Sequence, residues 1–276
     1  MIHFTPTLGI KDTAKNVNHF IKENMEVFWD VFKPLIPYIV ALHLFDIVIT
    51  NFFMPIDAKS GERIDFTLGG LIAGYFYTCL AITWHRVVIH GPDNFTPMNP
   101  FKPKKSELAF IGMGIALFAG IFVGGFIFGL LAAIINPFLL ILIIPFIFFA
   151  TYAWLKCMFY FPSKATGNTI TLKQSFEMTK GYMWKMYAAY IVAFIKLFLI
   201  LIGLVIVMGM AVAALGFASA KLGLNESLTM SVVQTMFVIP LTVFFQPIFT
   251  IIWVTVLSNY YQYVLQNGVK SDYDER

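Results

Sequence analysis

Apolar residues along this chain gather into runs of about twenty or more, parted by short polar segments. A helix that crosses bilayer hydrocarbon needs ~20 predominantly apolar residues. Six runs reach that length: about Pro34 to Met54, Leu68 to Ile89, Leu108 to Ile135, Pro137 to Phe161, Met186 to Phe217 and Met230 to Val264. Only Asn136-Pro137 parts the third from the fourth. Proline disfavours the α region for the residue before it, so this dipeptide predicts a tight turn in a helical hairpin. The pattern predicts an all-α integral membrane protein: one membrane domain over 1–276, built as a bundle of six transmembrane helices.

Two polar stretches carry apolar residues at near-helical spacing. Ile10 to Trp29 sets Val17, Phe20, Ile21, Phe28 and Trp29 among charges. Leu172 to Tyr187 sets Phe176, Met178, Tyr182, Met183 and Met186 among Lys and Glu. Each predicts an interfacial helix lying along the headgroups, or a helix running straight into the next span. Asn94 to Lys105, with Pro97, Pro100 and Pro103, predicts an extended loop. Residues 1–33 and 265–276 form polar flanks.

Charge then orients the bundle. Only 12% of residues are charged, half the ~25% of soluble domains. Lys11, Lys15, Lys22 and Lys33 precede the first span; Arg86, at the end of the second, counts with Lys102, Lys104 and Lys105 in the loop to the third. Lys156, at the end of the fourth span, counts with Lys164, Lys173, Lys180 and Lys185 in the loop to the fifth, and Lys270 and Arg276 lie in the tail. The opposite side has only Lys59, Arg63 and Lys221. This 15 to 3 asymmetry predicts that both termini are cytoplasmic. Cationic loops beside apolar runs suit anionic membrane lipids rather than nucleic acid. The first thirty residues hold no apolar signal core, so the first span is expected to direct insertion. Cys79 and Cys157 lie in apolar runs and imply neither a disulfide framework nor a metal set. No cofactor is expected.

The charges inside the runs are the first candidates for chemistry. His43 and Asp46 stand three apart on one face of the first span, and Lys196 lies at similar depth in the fifth. Charges at that depth face the bundle interior or one another. An Asp46–Lys196 pair beside His43 is expected, serving as a proton relay or substrate site, or as an ion pair locking two helices; the remaining reading lets Lys196 snorkel. The sixth span carries Gln234, Pro240, Gln246-Pro247 and Asn259, a pattern of kinks that fits a transporter site or simple packing. Small residues recur in the third span, with Gly112, Gly120 and Gly124 on one face and Gly125 and Gly129 on a neighbouring one. They predict close helix packing, within the chain or between copies.

Trp84, Arg86 and Pro92 recur as Trp154, Lys156 and Pro162 at a constant offset of 70. Trp at the interface, a cation on phosphate and Pro ending the helix make physical sense together, and the echo suggests a repeated hairpin. Headgroup contact is therefore expected of Trp84, His85, Arg86, Trp154 and Lys156. No nucleophile elbow, zinc-protease helix or phosphate-binding loop is present in the sequence. His90 stands near His85, and Asp93 is the one carboxylate placed to serve either as an acid–base partner.

"ITWHRVVIHG" (Ile82–Gly91), "FPSKATGNTITLKQSFEMTKGYMWKMY" (Phe161–Tyr187) and "TVLSNYYQYV" (Thr255–Val264) resemble segments of YciC-like inner-membrane proteins and of the membrane domain attached to some glycerophosphodiester phosphodiesterases. The resemblance implies an inner-membrane location and a six-span bundle. It transfers no catalytic residue, because the phosphodiesterase chemistry belongs to a soluble barrel that this sequence lacks. The expected function is a non-enzymatic, lipid-contacting scaffold or envelope-homeostasis protein, with a protein partner or a second copy. One alternative is a small transporter or channel using His43, Asp46 and Lys196. Another is a lipid-binding or lipid-modifying protein using His85, Arg86 and His90.

Overall fold

The computed structural model describes residues 1–54, 68–135, 137–168, 170–222 and 239–267. These residues are helical apart from turns and loops. Helices α1 (Ile10–Glu23) and α2 (Met25–Phe32) lead through a 3₁₀ turn into α3 (Ile36–Phe52). Then come α4 (Leu68–His90), α5 (Lys105–Ile134), a 3₁₀ stretch at Pro137–Leu142 and α6 (Ile143–Cys157). The short α7 (Tyr160–Ala165) and α8 (Leu172–Met178) precede the long α9 (Met183–Leu222) and α10 (Ile239–Asn267). Six segments are long and apolar enough to cross a membrane: Met25–Thr50, Leu68–His90, Lys105–Leu131, Ile143–Ala165, Met183–Ala218 and Thr242–Asn267. The chain is thus the all-α, six-helix membrane bundle that the apolar runs predict. Asn136, Gln234 and the 230–238 portion of the sixth run lie outside the described residues.

Local chemistry explains where the helices stop. Gly91, at φ 92°, follows the last residue of α4, and glycine adopts that conformation without Cβ strain. The fourth span does not run unbroken to Phe161 but turns between α6 and α7. Pro162 has no N–H, and its ring clashes with the carbonyl four residues back, that of Met158. Gly181, at φ 84°, separates α8 from α9.

α4 and α10 form the centre. Tyr77 Oη donates to the Thr242 carbonyl (2.9 Å), Trp84 Nε1 to Thr255 Oγ1 (2.9 Å) and Gln262 Nε2 to the Ile89 carbonyl (3.2 Å). Partners advance together along both helices, so the two run parallel, as second and sixth spans of an up-and-down bundle must.

The N-terminal amphipathic segment is not a helix with its apolar face in lipid. Val17, Phe20, Ile21 and Phe28 are buried in the protein core. Phe20 and Phe28 both meet the Trp84 ring edge-on at 6.1 Å. Residues before α1 are pinned as well: the Asn259 amide accepts from the Thr7 N–H and donates to its carbonyl, both at 2.8 Å. In the 172–187 stretch, Tyr182, Met183 and Met186 are likewise buried, whereas Phe176 is exposed. Protein rather than lipid covers the apolar face of α1, because α9 and α10 pack against it.

The glycine pattern of the third span is used differently from expectation. A Cβ at Gly112, Gly120, Gly125 or Gly129 would meet nothing within 4 Å; only Gly124 abuts a neighbour, the Phe146 ring. The tight backbone approach falls at Gly69, where a Cβ would strike the Leu42 carbonyl of α3. Much of α5 and α9 leaves apolar side chains, among them Phe118, Phe122, Phe126 and Leu199, exposed. Lipid hydrocarbon solvates such surface.

Candidate functional site

The intramembrane cluster does not assemble as expected. Asp46 Oδ1 accepts from the Gly69 N–H (2.6 Å) and Oδ2 from the Gly70 N–H (2.7 Å). The carboxylate therefore caps α4, whose first N–H groups lack intrahelical acceptors, and its charge suits the positive end of the helix dipole. His43 lies one turn away, with Nε2 buried and without a partner among the described residues. Lys196 is not paired with Asp46: it lines a separate pocket beside Asn18 and Lys22 of α1. Asp46 finds fixed donors in α4 next door, while α1 packs on α9 and sets polar neighbours beside the lysine.

The predicted headgroup contacts also turn inward. Trp84, His85, Arg86 and Lys156 are all buried. Arg86 is clamped on three sides: Nη2 meets Glu107 Oε1 at 2.6 Å, Nε donates to the Ala165 carbonyl at 2.6 Å and Nη1 to the Thr96 carbonyl at 3.0 Å. Glu107 in turn accepts from the Lys104 N–H through Oε2 at 2.5 Å, capping the start of α5. Lys156 Nζ faces the Phe176 carbonyl at 3.4 Å and the Tyr152 ring at 5.6 Å, and its own carbonyl accepts from Ser175 Oγ at 2.9 Å. The two members of the 84/154 echo thus make unlike contacts. Trp154 is half-buried in a cavity wall, whereas Trp84 is wholly enclosed. Pro92 follows a helix, whereas Pro162 lies within one.

His85 brings the observations together. Its Nδ1 lies 2.7 Å from Ser258 Oγ of α10, and its ring meets Phe110 edge-on at 5.9 Å. The residue also lines a cleft of about 760 Å³ between α4, α5, α6, α7 and α10. Gly74 and Thr78 of α4, Ile115 and Phe118 of α5, Trp154 of α6 and Trp253 of α10 form its walls. Leu71 and His85 mark its extent along α4. Their 14-residue separation corresponds to about 21 Å of helix. The hydroxyls in the wall are bonded to backbone: Thr78 Oγ1 donates to the Gly74 carbonyl and Thr250 Oγ1 to the Gln246 carbonyl, both at 2.9 Å, and Tyr75 Oη donates to the Pro100 carbonyl. His85, Gln246 and the indole-bearing Trp154 and Trp253 are the other polar-atom-bearing side chains in this wall. The cleft is apolar along most of its length and polar at His85.

Among the described residues, acid–base partners do not converge there. Glu107 is held by Arg86, Asp93 lies 3.7 Å from His3, and His90 is exposed. Among the described residues no three His, Cys, Asp or Glu side chains gather as a metal set.

Ser258, Thr255 and Glu107 were not singled out by the sequence patterns. Ser258 and Thr255 stand three apart on one face of a helix, a weak signal on its own. Glu107 falls in the first turn of α5, where an acidic residue three positions past the cap is a recognisable helix start. Compared with protein-family models, with curated proteins and with solved structures, the chain has no match.

Proposed function

We propose that this protein is a non-enzymatic lipid-binding protein of the bacterial inner membrane, with both termini on the cytoplasmic side. Its ligand is an amphiphile lying along the His85 cleft, with its apolar portion against Ile115, Phe118 and Trp253 and its polar group at His85. The cleft carries this reading: its volume of about 760 Å³ falls within the ~300–1,000 Å³ of small-molecule sites, which pair apolar walls with few polar groups. The 15 to 3 charge asymmetry supports the orientation, and the resemblance to YciC-like proteins supports the location. Binding is favoured over lipid modification because Glu107 and Asp93 are engaged away from His85. It is favoured over transport through a His43/Asp46/Lys196 relay because Asp46 caps α4 and Lys196 lies against α1.

Gly74 supplies a clean test. It lines the cleft, and a Cβ there meets no protein atom within 4 Å, so Gly74→Trp fills the space intended for the ligand. Native mass spectrometry of the wild type in mild detergent should show a lipid held in the cleft, and the variant should carry one lipid fewer, with that cleft occupancy at least about tenfold lower. Equal retention by both proteins, or none by the wild type, rules the cleft out as the site.

A further inference from the structure

A second pocket, of about 340 Å³, lies between α1, α9 and α10. Ile21, Ala193, Leu197, Ile248 and Ile252 make its apolar floor, and Asn18, Lys22 and Lys196 stand around it. No acidic residue lines it. Neither lysine forms an ion pair with a described residue; Glu23, next to Lys22, lies 4.0 Å from His19. Two exposed cations from different helices therefore share one apolar pocket without a counter-ion.

Its depth identifies what the cations would meet. The outer face of α1, with Lys11 and Lys15, is exposed and polar, so α1 lies at the level of the headgroups or beyond. Lys196 shares the pocket with α1 and therefore sits at that level too. The stretch 197–218 that follows has 22 residues without a charge. At 1.5 Å per residue it reaches about 33 Å, enough to cross the ~30 Å of hydrocarbon unaided. Lys196 thus begins the membrane crossing of α9 instead of interrupting it.

We infer that Lys22, Lys196 and Asn18 form a binding site for the phosphate of an anionic phospholipid, whose chain lies against Ile248, Ile252 and Leu197. The ammonium groups supply charge, the Asn18 amide a hydrogen bond, and the apolar floor the requirement for a lipid tail. This site is separate from the His85 cleft and does not depend on the function proposed for it.

The test uses the full chain carrying Gly74→Trp, so that lipid in the His85 cleft is not counted, in mixed micelles containing phosphatidylglycerol and phosphatidylcholine with the same acyl chains, read by native mass spectrometry. Phosphatidylglycerol should be retained in preference. Lys22→Gln and Lys196→Gln should each lower its retention about fivefold, and the double variant about 25-fold. Lys196→Arg should restore it, and Lys221→Gln, which changes a cation outside the pocket, should leave it unchanged. Both pocket lysines are exposed, so their substitution leaves the core intact, and unaltered helical circular dichroism checks this. The inference is overturned if the double variant keeps phosphatidylglycerol like its Gly74→Trp parent, or if both lipids are retained equally. Displacement by millimolar inorganic phosphate would assign the site to a soluble anion and overturn the lipid reading. Gly74→Trp should not affect this site, so failure here and failure at the cleft remain distinguishable.

Discussion

Arg86 and Glu107 carry opposite charges into the protein core, where each is nearly inaccessible. Such a pair contributes little relative to a well-packed apolar substitute, but removing one partner strands the other charge at a cost of about 3–5 kcal/mol. Glu107→Ala should therefore lower the thermal stability of the detergent-solubilised protein by that order. The double change to Arg86→Met with Glu107→Leu should recover much of the loss. Comparable melting of Glu107→Ala and wild type would show that the pair is not buried as described. The residue identities were plain in the sequence, but their roles were not. Arg86 ends an apolar run, which suits a headgroup contact as well as a clamp. Its assignment depends on Ala165 and Thr96 arriving from other parts of the chain. The depth of Asp46 in an apolar run says that its charge needs a partner, and the partner is the start of the next helix rather than Lys196.

At the scale of the element, the two glycine populations make opposite predictions. Gly69 lies where α4 touches the α3 backbone, and any Cβ there strikes the Leu42 carbonyl. Gly69→Val should separate the two helices, disturb the Asp46 cap and destabilise by about 1–3 kcal/mol, the cost of overpacking. Gly112→Ala and Gly120→Ala face open space and should be neutral or stabilising by up to ~1 kcal/mol, since alanine is the better helix former. A thermal-shift series across the three variants reads both signs. Loss of stability at Gly112 or Gly120 would instead mark a contact with a second copy. Periodic small residues announce that backbones could approach. They do not say which helix approaches, because that depends on how the α5–α6 hairpin is set against its neighbours.

Across the whole molecule, the most consequential placement is that of α1. An amphipathic helix on the membrane surface and one docked on a bundle have the same sequence pattern, since lipid and protein both offer an apolar face. Here Phe20 is enclosed with Phe4 and Trp84, so Phe20→Ala should cost about 3–5 kcal/mol. A helix lying in lipid would lose far less. Denaturant unfolding in micelles, followed by tryptophan fluorescence, measures the difference, and a loss below about 1 kcal/mol would return α1 to the membrane surface.

The sequence by itself determined the secondary structure class, the number of membrane-crossing segments and their approximate limits. Burying unpaired backbone in hydrocarbon is so costly that twenty apolar residues leave the chain almost no choice but a helix. It also contained the charge asymmetry that supports an orientation. The tertiary structure decided which polar residues meet. Asp46 went to Gly69 and Gly70, Arg86 to Glu107, His85 to Ser258 and Lys196 to the side of Lys22. Those partners are 21 to 174 positions apart in the chain, and hydropathy specifies that a segment enters the membrane without specifying its neighbour. Packing made that choice, and with it opened the cleft at His85 and the pocket at Lys196.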